Sequence, residues 1–306
     1  MSKRTIGTWI YQNGGGTEIE KLLTQKLQER EIGTISNINL SNAIVSNGRV
    51  CCNTMGDCKM DINGIDLFFS YNAGEQNDYQ MYLYKALNKI IPTINNFDSL
   101  ELTEDKFQTS FLLKNSGLTT AEYELCFQNN TEHLEHVMSK WSKMVCKPTD
   151  GFGGAGITKI DSESSIDMLS MMLKQMNLKN LYIEKFVDYD NTDYRIDIVN
   201  NKFIACYGRK ARDNGWKTNI GSGGSIFLRE PNDDVINLAL KASKVTGLEI
   251  SGVDIIYDRE KEEYIVLEVN GLPAFATPQQ EKDGLNFNEK KIELIAELID
   301  QRTSFL

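Results

Sequence analysis

Two acids sit where packing alone would not place them. The apolar run Gly252-Val253-Asp254-Ile255-Ile256-Tyr257 carries one, and Tyr264-Ile265-Val266-Leu267-Glu268-Val269-Asn270 carries the other. A charged segment, residues 258–263, separates the two runs, so they read as a β-hairpin. Side chains alternate along a strand, which puts Glu268 and Asn270 on one face and allows Asp254 to lie beside them on the partner strand. A carboxylate in an apolar strand is costly unless a partner compensates it. Two carboxylates and an amide oxygen suit a hard cation such as magnesium. Buried ion pairs are the other company such acids keep, and the hairpin alone leaves both readings open.

A second set of residues gathers positive charge and glycine. Lys147 closes the run Met144-Val145-Cys146-Lys147-Pro148, just ahead of Gly151-Phe152-Gly153-Gly154-Ala155-Gly156, after which residues 157–160 resume as strand. The amides of such a loop can lie along phosphates, and the neighbouring lysine adds charge. Strand, lysine, glycine loop and strand make a hairpin flap, not the strand-loop-helix of a P-loop. Further on, Arg209-Lys210-Ala211-Arg212 ends a strand, and Lys217-Thr218-Asn219 precedes Gly221-Ser222-Gly223-Gly224. In a chain of net charge -10, cations collected around glycine loops point to a polyanionic ligand. Gly14-Gly15-Gly16 is a third glycine turn, open to an anion or to no ligand at all, because it has neither a Walker lysine nor dinucleotide spacing.

The elements that must position these residues fall into three units. Residues 1–101 read as an α/β lobe: strands at 5–11, 34–38, 43–45 and 65–70, a helix with Ile19, Leu22, Leu23 and Leu27 inward and a Thr17/Glu20 capping box, and a helix near 78–90. In residues 102–187, Thr103 is expected to cap a helix that points Phe107, Phe111 and Leu112 inward and stops at Gly117. A strand at 121–127, a helix at 131–142, the flap, a methionine-rich helix at 166–176 read as core packing, and a strand at 181–187 follow. Residues 188–306 contribute a strand at 203–209, a helix at 233–246 capped by Asn232 and ended by Gly247, the hairpin, a turn at 271–275, and a terminal helix with Ile292, Ile295, Leu298 and Ile299 inward.

At 306 residues the chain is too long for one small core. Its 43 acids against 33 lysines and arginines argue against broad nucleic-acid or anionic-membrane binding. No apolar run approaches the roughly 20 residues of a spanning helix, and no signal-peptide core follows Met1-Ser2-Lys3-Arg4, so a cytoplasmic protein is expected. The six cysteines (Cys51, Cys52, Cys58, Cys126, Cys146, Cys206) lack paired metal spacing and read as reduced thiols. His133 and His136, beside Glu132 and Glu135, read as a solvated helix face.

Taken in order, Lys147-Pro148 before the flap, Asp193-Tyr194-Arg195, Gly252-Val253-Asp254 and Glu268-Val269-Asn270 resemble the ATP-grasp superfamily, and within it the RimK-like amino-acid ligases. The resemblance covers roughly residues 102–300. It implies an α/β chain in which an N-terminal pre-ATP-grasp lobe precedes a two-lobed α+β grasp with antiparallel sheets. It implies ATP as nucleotide and two magnesium ions, or manganese in their place, held by Asp254, Glu268 and Asn270. Lys106 and Lys147 are similar to the family's two nucleotide lysines, and Gly153 and Gly154 to its flap. Glu184, Lys185, Phe186 and Val187 resemble the adenine hinge, Asp193 a nucleotide contact, and Lys217-Thr218-Asn219 the family's Arg-Ser-Asn. On this resemblance Arg209 stabilises an acylphosphate or tetrahedral intermediate and Arg195 holds a carboxylate. Two departures concern substrate choice: Gly271-Leu272-Pro273-Ala274-Phe275 replaces a small residue, proline and glycine after Asn270, and Lys217 keeps an arginine's charge without its fork. The implied reaction joins a carboxylate to an amine through an acylphosphate, with an amino acid such as glutamate as substrate. A peptide or protein acceptor, extended at its C-terminal tail or crosslinked as a precursor, is the alternative. A homo-oligomer is expected, with no nucleic-acid or membrane partner.

Overall fold

Among the described residues the strands form four sheets, one of them inserted between the strands of the first, and their polar and apolar faces decide where the cleft lies. The computed structural model describes residues 4–12, 14–53, 59–72, 77–127, 131–151, 153–176 and 180–304; Cys58 and Phe152 lie outside these. In the first lobe, β1 (Thr5–Ile10), β2 (Gly33–Ile35), β3 (Ala43–Ser46), β4 (Arg49–Asn53), β5 (Lys59–Asp61), β6 (Leu67–Tyr71) and β7 (Thr93–Ile94) alternate with α1 (Gly16–Gln28) and α2 (Asp78–Leu87). A parallel sheet runs β2-β1-β6-β7, and a small antiparallel sheet runs β3-β4-β5.

Helices α3 (Phe97–Glu104) and α4 (Lys106–Asn115) lead into the second lobe. There β8 (Tyr123–Phe127), α5 (Thr131–Trp141), β9 (Met144–Lys147), β10 (Thr158–Ile160), α6 (Glu163–Met176) and β11 (Asn180–Lys185) form an antiparallel sheet in the order β10-β9-β11-β8. Leu134, Val137, Ile166 and Leu169 of its helices pack on Cys146, Ile160, Leu181 and Ile183 of one face. The other face is left to the cleft.

The third lobe holds β12 (Thr192–Val199), β13 (Lys202–Lys210), β14 (Ser225–Phe227), α7 (Asp233–Thr246), β15 (Ile250–Asp258), β16 (Glu263–Asn270), α8 (Pro278–Lys282) and α9 (Asn288–Thr303). Its sheet runs β14-β13-β12-β15-β16, all antiparallel. Tyr194, Ile196, Ile198, Val253 and Val269 point to one face and pack against Val235, Ala239 and Ala242 of α7. The alternate residues, Asp193, Arg195, Asp197, Asp254 and Glu268 among them, point to the other. The apolar core of the first lobe is continuous with α9: Ile6, Leu23 and Phe69 share a cluster with Ile250, Ile295 and Ile299.

Helix α7 is capped by Asn232, whose side chain accepts from the Val235 amide at 3.0 Å, and ends at Gly247 with φ +75°, as its sequence demands. Other local expectations fail. Gly15, left-handed at φ +97°, precedes α1, so Thr17 is already helical and donates to Gln12 instead. Glu20 turns inward to accept from Thr8 and Gln12 at 3.0 Å each. Thr103 lies inside α3, and the cap of α4 is Asp105, which accepts from the Gln108 amide at 2.9 Å. The inward face of α4 is Thr109, Ser110 and Leu113, while Phe111 is 50% exposed, because the helix meets α3, α7 and β16 on that side. In α6, Met168 and Met171 are more than half exposed, and Ile166 and Leu169 do the packing. Cys51, Cys52, Cys126, Cys146 and Cys206 are free thiols, and His133 pairs with Glu124 at 2.6 Å. Among the described residues no helix is long and apolar enough to cross a membrane.

Candidate active site

The cleft lies between the bare face of the second-lobe sheet and the polar face of the third-lobe sheet, and is about 760 Å³ counting the solvent space at its mouth. Its floor follows from strand register. Asp254 on β15 stands opposite Glu268 on β16, and Gly252 opposite Asn270, so the three oxygen-bearing side chains share one face. Arg195 on β12 stands opposite Asp254, and Asp193 opposite Arg209 of β13. A bulge after Asp254 leaves Leu267 unpaired, and both Leu267 and Glu268 reach the cleft wall.

These residues form a row of alternating charge. Asp254, only 3% exposed, accepts from Arg195 Nε, from Arg195 Nη2 at 3.1 Å, and from Arg209 Nη2 at 2.7 Å. Arg209 also forks Asp193 through Nε at 2.9 Å and Nη2 at 2.7 Å, and Asp193 accepts from Thr218 Oγ1 as well. Burial works against the Asp254 carboxylate, but Arg195 and Arg209 overcome it and hold its pKa below the usual range. Burial likewise opposes the charge of both arginines, and the acids overcome it, holding their pKa values above the ordinary one. Thus Asp193, expected beside a nucleotide, anchors Arg209, and the carboxylate that Arg195 holds here is that of Asp254.

Two lysines enter from either side. Lys106 Nζ, at the start of α4, lies 3.5 Å from Glu268 Oε1 and donates to the Gly151 carbonyl, while its backbone amide donates to Thr149 O at 2.7 Å. The base of the glycine loop is therefore tied to α4. Lys147 Nζ sits 2.5 Å from Glu184 Oε2, and Tyr182 donates to the same carboxylate at 2.7 Å. The loop reaches across the cleft: Lys217 Nζ donates to Gly154 O at 3.1 Å, and Ser222 Oγ to Gly153 O at 3.4 Å. Gly154 has φ +79°, and a Cβ there would lie 2.8 Å from Asn219 Oδ1, so only glycine makes this approach. Burial and the nearby Arg212 lower the Lys217 pKa.

Phe186 and Val187 line the slot next to the strand end, with Lys185 turned to Glu260 at 2.9 Å. Sequence reasoning missed the other slot walls, Val145, Ile157, Tyr189, Trp216, Ile256 and Leu267. Trp216 meets Phe186 edge-on at 5.8 Å. Only the adjacency of Trp216 to Lys217 could have drawn attention to it.

A second cavity of about 1080 Å³ adjoins the first and shares Arg209, Asn219 and Glu268 with it. Arg195, Asn270 and the loop after Asn270 line it. The Gly14-Gly15-Gly16 turn lies against the start of α8, where a Cβ at Gly15 would come 3.3 Å from Pro278. Among the described residues no three His, Cys, Asp or Glu side chains cluster as a ready metal site. A cation here would rest on Asp254, Glu268 and the Asn270 amide oxygen.

The family model described as a RimK-like ATP-grasp domain matches residues 103–295. The chain belongs to the RimK-like ATP-grasp family. It is an ATP-dependent ligase that forms carbon-nitrogen bonds; one solved ligase of the same fold, PsnB, holds magnesium and ADP. It is 29% identical over 250 residues to tetrahydromethanopterin:alpha-L-glutamate ligase of Methanocaldococcus jannaschii, covering 79% of this chain and 82% of that protein. It is 27% identical over 237 residues to alpha-aminoadipate--LysW ligase LysX of Saccharolobus solfataricus, covering 75% and 82%. The structure of macrocyclase MdnC bound with precursor peptide MdnA, from Microcystis aeruginosa, superposes with a TM-score of 0.68 over 96% of this chain and 98% of that one; at 13% identity the likeness is one of fold.

Proposed function

We propose that the narrower cleft takes ATP and the wider cavity takes the two compounds to be joined, a carboxylate and an amine. The observation that carries this reading is the junction, where Arg209, Asn219 and Glu268 border both spaces. Adenine fits the slot of Val145, Phe186, Val187 and Leu267 beside Glu184 and Lys185. The phosphates lie between Lys106 and Lys147 under Gly153 and Gly154, with Lys217, Thr218 and Asn219 closing the far side.

The donor set suits magnesium. Asp254, Glu268 and Asn270 offer only oxygens, and magnesium commonly takes one or two carboxylates and completes its shell with phosphate oxygens and water. Asp254 serves as a ligand once Arg195 or Arg209 yields an oxygen. When bound, two ions, or manganese in their place, offset phosphate charge and favour attack at the terminal phosphorus.

In the first step a carboxylate oxygen of the substrate attacks the γ-phosphorus, the bond to the β-γ bridging oxygen breaks, and ADP leaves with that electron pair. In the second, the amine nitrogen attacks the acyl carbon, the carbon-oxygen bond to phosphate breaks, and the amine gives up a proton. The sum is carboxylate, amine and ATP to amide, ADP and phosphate. No side chain forms a covalent bond. Arg209 faces the acyl oxygen charge at the junction, and Arg195 the substrate carboxylate, so catalysis is positioning and charge compensation. The glycine flap excludes the water that would hydrolyse the acylphosphate.

Glutamate, named for the Methanocaldococcus relative, is the first amino acid to try. A peptide acceptor is the second reading, favoured by the way the substrate cavity continues into a further groove along Ile220, Ile226 and Leu285. ADP release screened over pairs of amino acids and peptides, with product masses read directly, tests both: a product lighter by one water than the summed substrates supports the ligase, and ADP formation with no amine requirement rejects it. The five free thiols among the described residues fit a cytoplasmic setting.

A further inference from the structure

The wider cavity changes character along its length. Its only lysine, arginine or histidine side chains among the described residues are Arg195 and Arg209, which stand opposite Tyr207 and Ile226 in the sheet and are already paired with Asp254 and Asp193. The rest is walled by Tyr207, Ile226, Leu272, Phe275, Leu285 and Phe287. Tyr207 and Phe287 stack with their rings 10° apart and centroids 6.1 Å apart. The polar groups on that side, Thr277 and Gln280, bond each other in the cap of α8 at 2.8 and 3.3 Å. The cavity then opens into a shallower groove of about 620 Å³ that shares Ile220, Ile226 and Leu285 and adds Phe227 and Leu228.

The apolar wall is built to hold its shape. The loop after Asn270 is fastened through its carbonyls from both ends of the chain. Asn95 donates to Gly271 O at 2.6 Å, Tyr71 donates to Pro273 O, and Lys291 donates to Pro273 O at 2.8 Å and Ala274 O at 3.2 Å. Asn288 bonds both the amide and the carbonyl of Ala276, at 2.9 and 2.8 Å. Lys291 is fully buried, pairs with Asp197 at 2.7 Å, and lies 4.6 Å from the centre of the Phe275 ring. Gly252, on the strand below, leaves room for Pro273: a Cβ there would come within 2.6 Å of it. Leu272 and Phe275 are thus presented by a preformed loop.

We infer that the carboxylate substrate of this ligase carries a large apolar side chain, of the leucine or phenylalanine class, lying along Ile226, Leu272, Phe275 and Phe287, with its carboxylate at the arginines. The inference rests on the ligase reading above and narrows its substrate. A glutamate in the same pose would bring a second carboxylate with no third cation in the lining to pair it, against apolar groups and with its hydration lost. A leucine or phenylalanine side chain gains burial in the same place. The volume accepts either a single residue or the C-terminal residue of a peptide, and both present the same chemistry.

Hydroxylamine, a small amine that traps acylphosphates as hydroxamates, separates carboxylate choice from amine choice. The wild-type enzyme with magnesium and ATP is given N-acetyl-leucine, N-acetyl-phenylalanine and N-acetyl-glutamate, and tripeptides ending in the same three residues. Hydroxamate formation per unit substrate is expected to be at least about 100-fold greater with leucine or phenylalanine than with glutamate in whichever arm reacts, the two arms telling a free acid from a peptide end. Ile226→Lys and Ile220→Lys place a cation in the apolar part; Ile220 is 48% exposed, so its variant is tolerated by the fold. Each is expected to narrow the preference about tenfold or more. Equal or better use of glutamate by the wild type, at either length, overturns the inference and leaves the ligase reading standing. Hydroxamate from none of the six compounds, with ATP binding intact, overturns both.

Discussion

Asp254→Asn keeps the shape of the side chain and removes one charge from the row Arg195-Asp254-Arg209-Asp193. The carboxylate is 3% exposed and accepts three charge-assisted bonds, two from Arg195 and one from Arg209. After the substitution Arg195 has no acid partner in that row, and Arg209 keeps only Asp193. Removing one partner of a buried ion pair costs about 3–5 kcal/mol, chiefly because the remaining charge stays desolvated. Urea unfolding followed by circular dichroism should show a loss of that size. Adding Arg195→Leu removes the stranded charge and should recover at least about 1 kcal/mol. The same acid sets a pH dependence. Its folded pKa lies below the unfolded value of 3.8, so the unfolded chain binds more protons in acid. Its stabilisation is complete above that value and is lost as pH falls through the folded pKa, a slope that Asp254→Asn should lack. A loss under about 1 kcal/mol at neutral pH, or an unchanged acid limb, would refute the charge row as the organiser of the floor.

Three further outcomes follow from the geometry. Lys147→Met strands the nearly buried Glu184 and removes a charge proposed to face the phosphates, so the KM for ATP should rise about 10- to 100-fold, read by ADP release. Gly154→Val cannot keep φ +79° or its approach to Asn219, so amide formation should fall about tenfold or more, with ADP released without product rising relative to it, and with global stability unchanged. Lys291→Met leaves the fully buried Asp197 without a counter-ion and should destabilise by about 3–5 kcal/mol, whereas Lys291→Met with Asp197→Leu should recover more than half of that loss in the same unfolding assay.

What could be read from the chain was whatever repeats locally. The period-2 alternation of residues 252–270 put Asp254, Glu268 and Asn270 on one face, and the register agrees. The apolar spacing and caps of α7 fixed it almost to the residue. Caps failed where a neighbour competed, as when Gly15 took the turn before α1 and Gln12 took the Thr17 hydroxyl. Burial failed on helices whose partner sat on an unforeseen side, so Phe111 is half exposed and Met168 more than half. Partner choice among charges was the least visible feature. Asp193 and Arg209 are 16 residues apart, Arg195 and Asp254 59, and Asp197 and Lys291 94. Only the folding of β12 between β13 and β15, and of α9 beneath them, brings those pairs together. The apolar substrate wall was illegible for the same reason, since Tyr207, Ile226, Leu272 and Phe287 come from four separate segments.

In the proposed reaction a substrate carboxylate takes the terminal phosphate of ATP before an amine displaces it. A carboxylate substrate labelled with oxygen-18 on both oxygens tests this most directly, by mass analysis of the phosphate released in a single turnover with amine. One labelled oxygen is expected in each phosphate and one in each amide. Unlabelled phosphate, with both labelled oxygens still on the acid or its label lost to water, would contradict the proposed reaction.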